Sequence, residues 1–280
     1  MPKIPVRHIK EPGFTGGFTI RRIEDLLNGE DLQQDVHRHD FYLLLLIEKG
    51  KGNHAIDFVP YPVTDNSLFF LRPGQVHELA LKATCSGYLI EFSPAFYTTA
   101  AAGAAVFRKV SHKNHCKLQA KRFQRIYALA EQVMDEYEER DENYLQAIKA
   151  RLDLLFIELL RQSKNPHVVK SDKANYAQEK LEAFTELLER NFTTHKKPAD
   201  YAALLHLSNY QLNALTREAI NKSSSEVITD YLLLEAKRQL LATSNQVNQI
   251  AYDMGFQDPS YFIRFFKKHT GLSPQEFRSR

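Results

Sequence analysis

With 280 residues, 43% hydrophobic and 25% charged, the chain has material for two domains with buried cores, and its formal net charge of +3 does not by itself mark a nucleic-acid partner. Its two cysteines, Cys85 and Cys116, are far apart and in no C-x-x-C spacing, which argues against a disulfide framework or a cysteine zinc site and suits a reducing compartment. Met1 to Lys10 has no apolar h-region, and the longest apolar run, 41–47, is far short of a membrane span, so a cytoplasmic protein with no membrane partner is expected.

From about 14 to 93 the pattern predicts short strands broken by glycine and proline. An apolar run at 41–47 reads as a buried strand, 53–58 roughly alternates, a turn falls around 60–66, and further strands fall at 68–71 and 87–92. That spacing suggests a sandwich or small barrel. After Ser93-Pro94 the character changes. Phe123, Ile126, Tyr127, Ala130, Val133, Met134 and Tyr137 follow a helical period and predict an amphipathic helix over 118–138. A second helix is predicted over 142–161, where Leu145, Ile148, Leu152, Leu155 and Leu159 step alternately by three and four. Such a stripe either packs within its own domain or forms a homodimer seam, and these five residues are the expected dimer interface. The segment 164–177 is polar and contains Pro166, which predicts a linker. From 178 to 280 the pattern is helical. Strands first and helices afterwards predict an α+β chain of two domains, 1–163 and 178–280, with the first domain's helices at about 118–161.

The second domain contains a near-repeat. Ala202, Leu207, Ser208, Leu212 and Leu215 recur as Ala251, Phe256, a slightly longer turn, Phe262 and Phe265. A small alanine lets one helix pack closely on the next, while Ser208-Asn209 and 255–260 offer caps and tight bends. Two helix-turn-helix units are therefore expected at about 196–217 and 244–267, joined by a helix near 225–242. The outer face of the first unit's second helix would show Ser208, Asn209, Tyr210, Asn213 and Arg217; that of the second would show Ser260, Tyr261, Arg264, Lys267 and Lys268. No acidic residue occurs from Pro259 to Gln275, so this second face is locally basic. Lysines there can neutralise phosphates, and amide, hydroxyl and guanidinium groups can read base edges. One basic helix is more often a solvated face; two copies with the same turn chemistry point to double-stranded DNA.

The run Gly255-Phe256-Gln257-Asp258-Pro259-Ser260-Tyr261-Phe262-Ile263-Arg264-Phe265-Phe266-Lys267-Lys268, followed by Gly271-Leu272-Ser273-Pro274 and Phe277-Arg278, closely resembles the C-terminal signature of AraC-type transcription regulators. The segments 202–208 and 236–241 resemble the same family's first unit and connecting helix. This resemblance covers about 179–278. It implies seven helices and two recognition helices in successive major-groove segments; RNA polymerase is a further expected partner, and the stripe from Leu145 to Leu159 leads to the expectation of a homodimer. The chain departs from the family at Ala214, where many relatives carry arginine, and at Thr216, where they carry phenylalanine. Asn221 replaces a usual glycine, and Leu232 stands where arginine is frequent. These departures imply fewer base contacts from the first unit.

The stretch 37–42, with 68–71 and 74–77, is similar to the cupin-like β-barrel that serves as sensor domain in such regulators. This implies a small-molecule effector inside the barrel, contacted by His37, His39 and His77. The same H-x-H and later P-G-x-x-H resemble the metal-binding pattern of cupins. That pattern wants a glutamate shortly after H-x-H, however, and this chain has Leu43 and Leu44, so no metal, cofactor or catalytic residue is expected. His112 and His115-Cys116 read as exposed loop residues. No G-x-S-x-G, Walker A, G-x-G-x-x-G or H-E-x-x-H motif occurs. A sequence-specific DNA-binding regulator is therefore the leading reading. The alternative is a cupin-type metalloenzyme with a DNA-binding appendage.

Overall fold

A strand that is apolar at every position must bury both faces, and the run at 41–47 does so. The computed structural model describes residues 6–7, 17–97, 101–163 and 172–279, and the chain divides between Pro166 and His167 into two units. In chain order the first unit begins β1 (Val6–Arg7), β2 (Phe18–Arg22), α1 (Ile23–Leu27), β3 (Leu32–His39), β4 (Tyr42–Lys49) and β5 (Gly52–Ile56). It continues β6 (Val59–Val63), β7 (Ser67–Leu71), β8 (Val76–Leu81), β9 (Ser86–Phe92), α2 (Ala101–Ser111), β10 (His115–Lys117), α3 (Ala120–Glu139) and α4 (Tyr144–Ser163).

These strands form two five-stranded sheets, ordered β1-β3-β8-β5-β6 and β10-β7-β4-β9-β2. Leu43, Leu45 and Ile47 of β4 join Ile56, Leu79 and Leu81 of the first sheet in one core, while Leu44 and Leu46 point the other way into a core shared with the helices. Of the sandwich and the small barrel that the strand spacing allowed, the cupin-like domain takes the sandwich form: two separate sheets that do not close into a barrel. One reason lies at β6, predicted as a turn. This edge strand carries Pro60 and Pro62, which have no N–H with which to extend the ladder to a further strand. His115 and Cys116, expected in an exposed loop, form part of β10 and are half-buried, with the His115 ring stacked on Phe69 at 4.7 Å.

The α4 stripe also needs correction. Ile148, Leu152 and Leu155 are each 0% exposed and Leu159 is 5% exposed in the single chain, packed with α3 and the outer face of the second sheet. Leu145 is half-buried against the same cluster. Its own domain covers the stripe, so it is not a dimer seam. The helical period specifies a buried face but not what buries it.

The second unit comprises α5 (Asp172–Asn191), α6 (Pro198–Leu204), α7 (Asn209–Ile220), α8 (Ser224–Ala242), α9 (Val247–Asp253), α10 (Pro259–Thr270) and α11 (Pro274–Arg278). Of the predicted linker, 164–171 lies outside the described residues, and 172–177 belongs to α5. Phe184, Tyr201, Leu212, Ala236, Ala251, Phe262 and Phe266 form a single core. Serine begins α7, α8 and α11 with the same device. Ser208, Ser223 and Ser273 each accept the N3 amide, and Gln211, Glu226 and Glu276 reach back to the cap.

Candidate functional site

The two helix-turn-helix units share their turn geometry to the level of backbone hydrogen bonds. Leu207 N donates to Ala202 O at 2.8 Å, and Phe256 N donates to Ala251 O at 2.9 Å. One residue earlier the chain turns left-handed in both copies, at His206 (φ 55°) and Gly255 (φ 76°). Glycine suits that conformation. Gly255 is further constrained, because a Cβ there would lie 1.7 Å from the Thr193 carbonyl oxygen. His206 accepts the same backbone without glycine's freedom, a feature no sequence signal announced. Asn221, in place of the family's glycine, caps α7 at φ 55°, a conformation asparagine tolerates.

Each turn aims a second helix outward. On α7, Asn209, Tyr210 and Arg217 are exposed, Tyr210 by 82%. Two residues predicted for this face also serve the fold. Ser208 Oγ accepts the Gln211 amide at 3.1 Å, and half-buried Asn213 accepts the Ser224 amide through Oδ1 at 3.3 Å. Ala214, exposed beside them, offers only a methyl group. Thr216 and Leu232, two departures from the family pattern, are core residues. On α10, Ser260, Tyr261, Arg264, Lys267 and Lys268 are all exposed, while Phe262 and Phe266 anchor the opposite side. Arg264 is 69% exposed and only loosely tied to Asp258, at 3.7 Å. Lys267 and Lys268 also sit where cations favour the helix C-terminal dipole, so part of their charge serves the helix.

In the first unit a cavity of about 510 Å³ opens between the sheets, a volume suited to a small molecule. Leu43, Leu45, Leu79, Leu81 and Leu89 give it apolar walls, and Arg7, Arg21, Gln34, His39 and Glu91 supply polar groups. Arg21 and buried Glu91 form an ion pair at 2.8 Å. Of the three histidines expected to contact an effector, only His39 lines this cavity. Sequence reasoning missed Arg7, Arg21 and Glu91, whose meeting depends on strand pairing.

The histidines form a buried cluster instead. A register shift in β3 between Gln34 and His37 sets His37 opposite His77 on β8, and His54 joins them from β5. His39 Nε2 lies 2.6 Å from His77 Nε2, and His54 Nε2 lies 2.9 Å from His77 Nδ1. Burial, reinforced by the neighbouring imidazoles, pushes His39 and His54 down to about 3 and His77 well below its ordinary value. Burial lowers His37 as well. His54 carried no motif and was not anticipated.

A family model described as a helix-turn-helix domain matches residues 201–280, and one described as an AraC-like ligand binding domain matches residues 27–164. The HTH-type transcriptional activator RhaS of Enterobacter sp. (strain 638) is 24% identical over 246 residues, covering 86% of each chain. The HTH-type transcriptional activator RhaR of Yersinia pestis bv. Antiqua (strain Angola) is 22% identical over 255 residues, covering 87% of this chain and 84% of that one. Among solved structures, ToxT from Vibrio cholerae is similar at 15% identity with a TM-score of 0.45, covering 94% of this chain and 98% of that chain.

Proposed function

The chain belongs to the AraC-type family of transcription regulators, and from that premise we propose that α7 and α10 read an operator under the control of a small molecule held in the 510 Å³ cavity. It is a DNA-binding regulator with an N-terminal ligand-binding domain. The metalloenzyme alternative is not favoured, because the relatives RhaS and RhaR are transcription activators.

The observation that carries the operator reading is the shared turn geometry of two units, each presenting a polar, exposed helix. Arg264 and Tyr261 read bases in one major-groove segment, with Lys267 and Lys268 on phosphates. Tyr210, Asn209 and Arg217 make a lighter contact in the next, consistent with Ala214 and with the structural duties of Ser208 and Asn213. The relatives' names support activation, which makes RNA polymerase a further partner. Its work on DNA belongs in the cytoplasm, and no helix among the described residues is long and apolar enough to cross a membrane. A homodimer would pair two DNA-binding units on adjacent half-sites, raising apparent affinity by roughly 10²–10⁴. Its interface lies outside the α4 stripe, and sedimentation of the full chain tests it.

Arg264→Ala tests the operator reading. A lost bidentate guanine contact should weaken binding to the selected operator by about 1–3 kcal/mol and leave binding to random DNA little changed. Equal losses on both DNAs would make Arg264 a phosphate contact.

A further inference from the structure

The histidine cluster holds a lone pair that the folded chain leaves unused. His37 Nδ1 lies 2.7 Å from the Asp35 carbonyl oxygen. A carbonyl only accepts, so Nδ1 carries the ring proton and Nε2 is left as a bare acceptor. That Nε2 is buried and has no hydrogen-bond partner among the described residues. Leaving such a group unpaired costs about 1–3 kcal/mol. His39, two residues along the same strand β3, and His77, opposite on β8, lie beside it, and one ring nitrogen from each of the three lies within 4.8 Å of the others.

We propose that His37, His39 and His77 bind a divalent transition-metal ion, with His54 as a positioning residue. Imidazole donors favour zinc, copper, nickel, cobalt or iron, whereas magnesium and calcium require oxygen ligands. Metal–nitrogen bonds of about 2.0–2.1 Å put neighbouring donors roughly 3 Å apart. His39 Nε2 and His77 Nε2, now a hydrogen-bonded pair at 2.6 Å, part slightly to admit the ion, and His37 Nε2 closes on it. His54 Nε2, 2.9 Å from His77 Nδ1, accepts the proton at that position and leaves His77 Nε2 free to bind. The absence of a carboxylate after H-x-H does not defeat the site, because three imidazoles suffice when another ligand completes the shell. His39 also lines the cavity, so a carboxylate or hydroxyl group of a cavity ligand can supply that position.

The test uses the full chain, stripped with a chelator and titrated with Co²⁺ alone. One ion per chain should bind with the visible absorption of a low-coordinate cobalt site, and X-ray absorption should count three imidazole ligands. His37→Gln should abolish uptake while circular dichroism shows an intact fold. His54→Gln should weaken Co²⁺ affinity roughly 10–100-fold and shift the cobalt spectrum; a merely structural role would lower thermal stability without moving that spectrum. Absence of uptake by the wild-type chain overturns the proposal, as does a count below three imidazoles or undiminished uptake by folded His37→Gln. The count is made on wild-type protein, so it decides the matter even if a variant misfolds.

Discussion

Leu152 separates the two readings of the α4 stripe. Its side chain is 0% exposed within one chain, in a core cluster that also holds Phe70, Tyr97 and Phe156. Phe156 lies 5.7 Å from Phe70 and 5.2 Å from Tyr97, centroid to centroid. Leu152→Ala should therefore cost what a buried leucine usually does, about 2–5 kcal/mol. Against a typical domain stability of about 5–15 kcal/mol, the variant should still fold. Hydrogen exchange followed by mass spectrometry reads this domain separately from the helical unit. Amides of α3 and α4 that open only by domain unfolding should exchange roughly 30- to 4,000-fold faster, at a rate independent of protein concentration. Leu154→Ala is the control on the same helix: its side chain is 53% exposed, and it should change exchange little. If Leu152→Ala instead left exchange unchanged while converting a dimer to monomers in sedimentation, the intradomain reading would fail.

Gly255→Ala should destabilise the second unit by at least about 1–3 kcal/mol from its φ of 76° alone, with the clash against Thr193 O adding to that; an unchanged melting temperature would contradict the turn geometry. At His206, valine should cost about 1–2 kcal/mol while glycine should not destabilise, and a valine variant melting with the wild type would show that the turn relaxes. A fragment from 167 to 280 should give a helical circular-dichroism spectrum and shift operator DNA in gels, more weakly than the full chain; an unfolded fragment would refute independent folding of this unit.

What the sequence determined was local. The second unit was legible because caps, turns and periodicity act over a few residues, and they occur twice: Ala202 and Ala251, Ser208 and Asp258, Leu212 and Phe262. The apolar run at 41–47 required a strand buried on both faces, and β4 is one. What buries a face was not legible, because periodicity names the apolar side of α4 but not its partner. That choice fell to the second sheet, whose outer face offers Leu44, Leu46, Phe70 and Phe92. Tertiary structure likewise decided both sites of the first unit. Arg21 meets Glu91 only because β2 pairs with β9, and His54 reaches His77 only because β5 and β8 are neighbours. His37 faces the cluster because β3 slips in register just before it. Strand register is a property of long-range pairing, and a one-residue slip turns a side chain to the opposite face, so residues far apart in sequence become one site only once the sheet has formed.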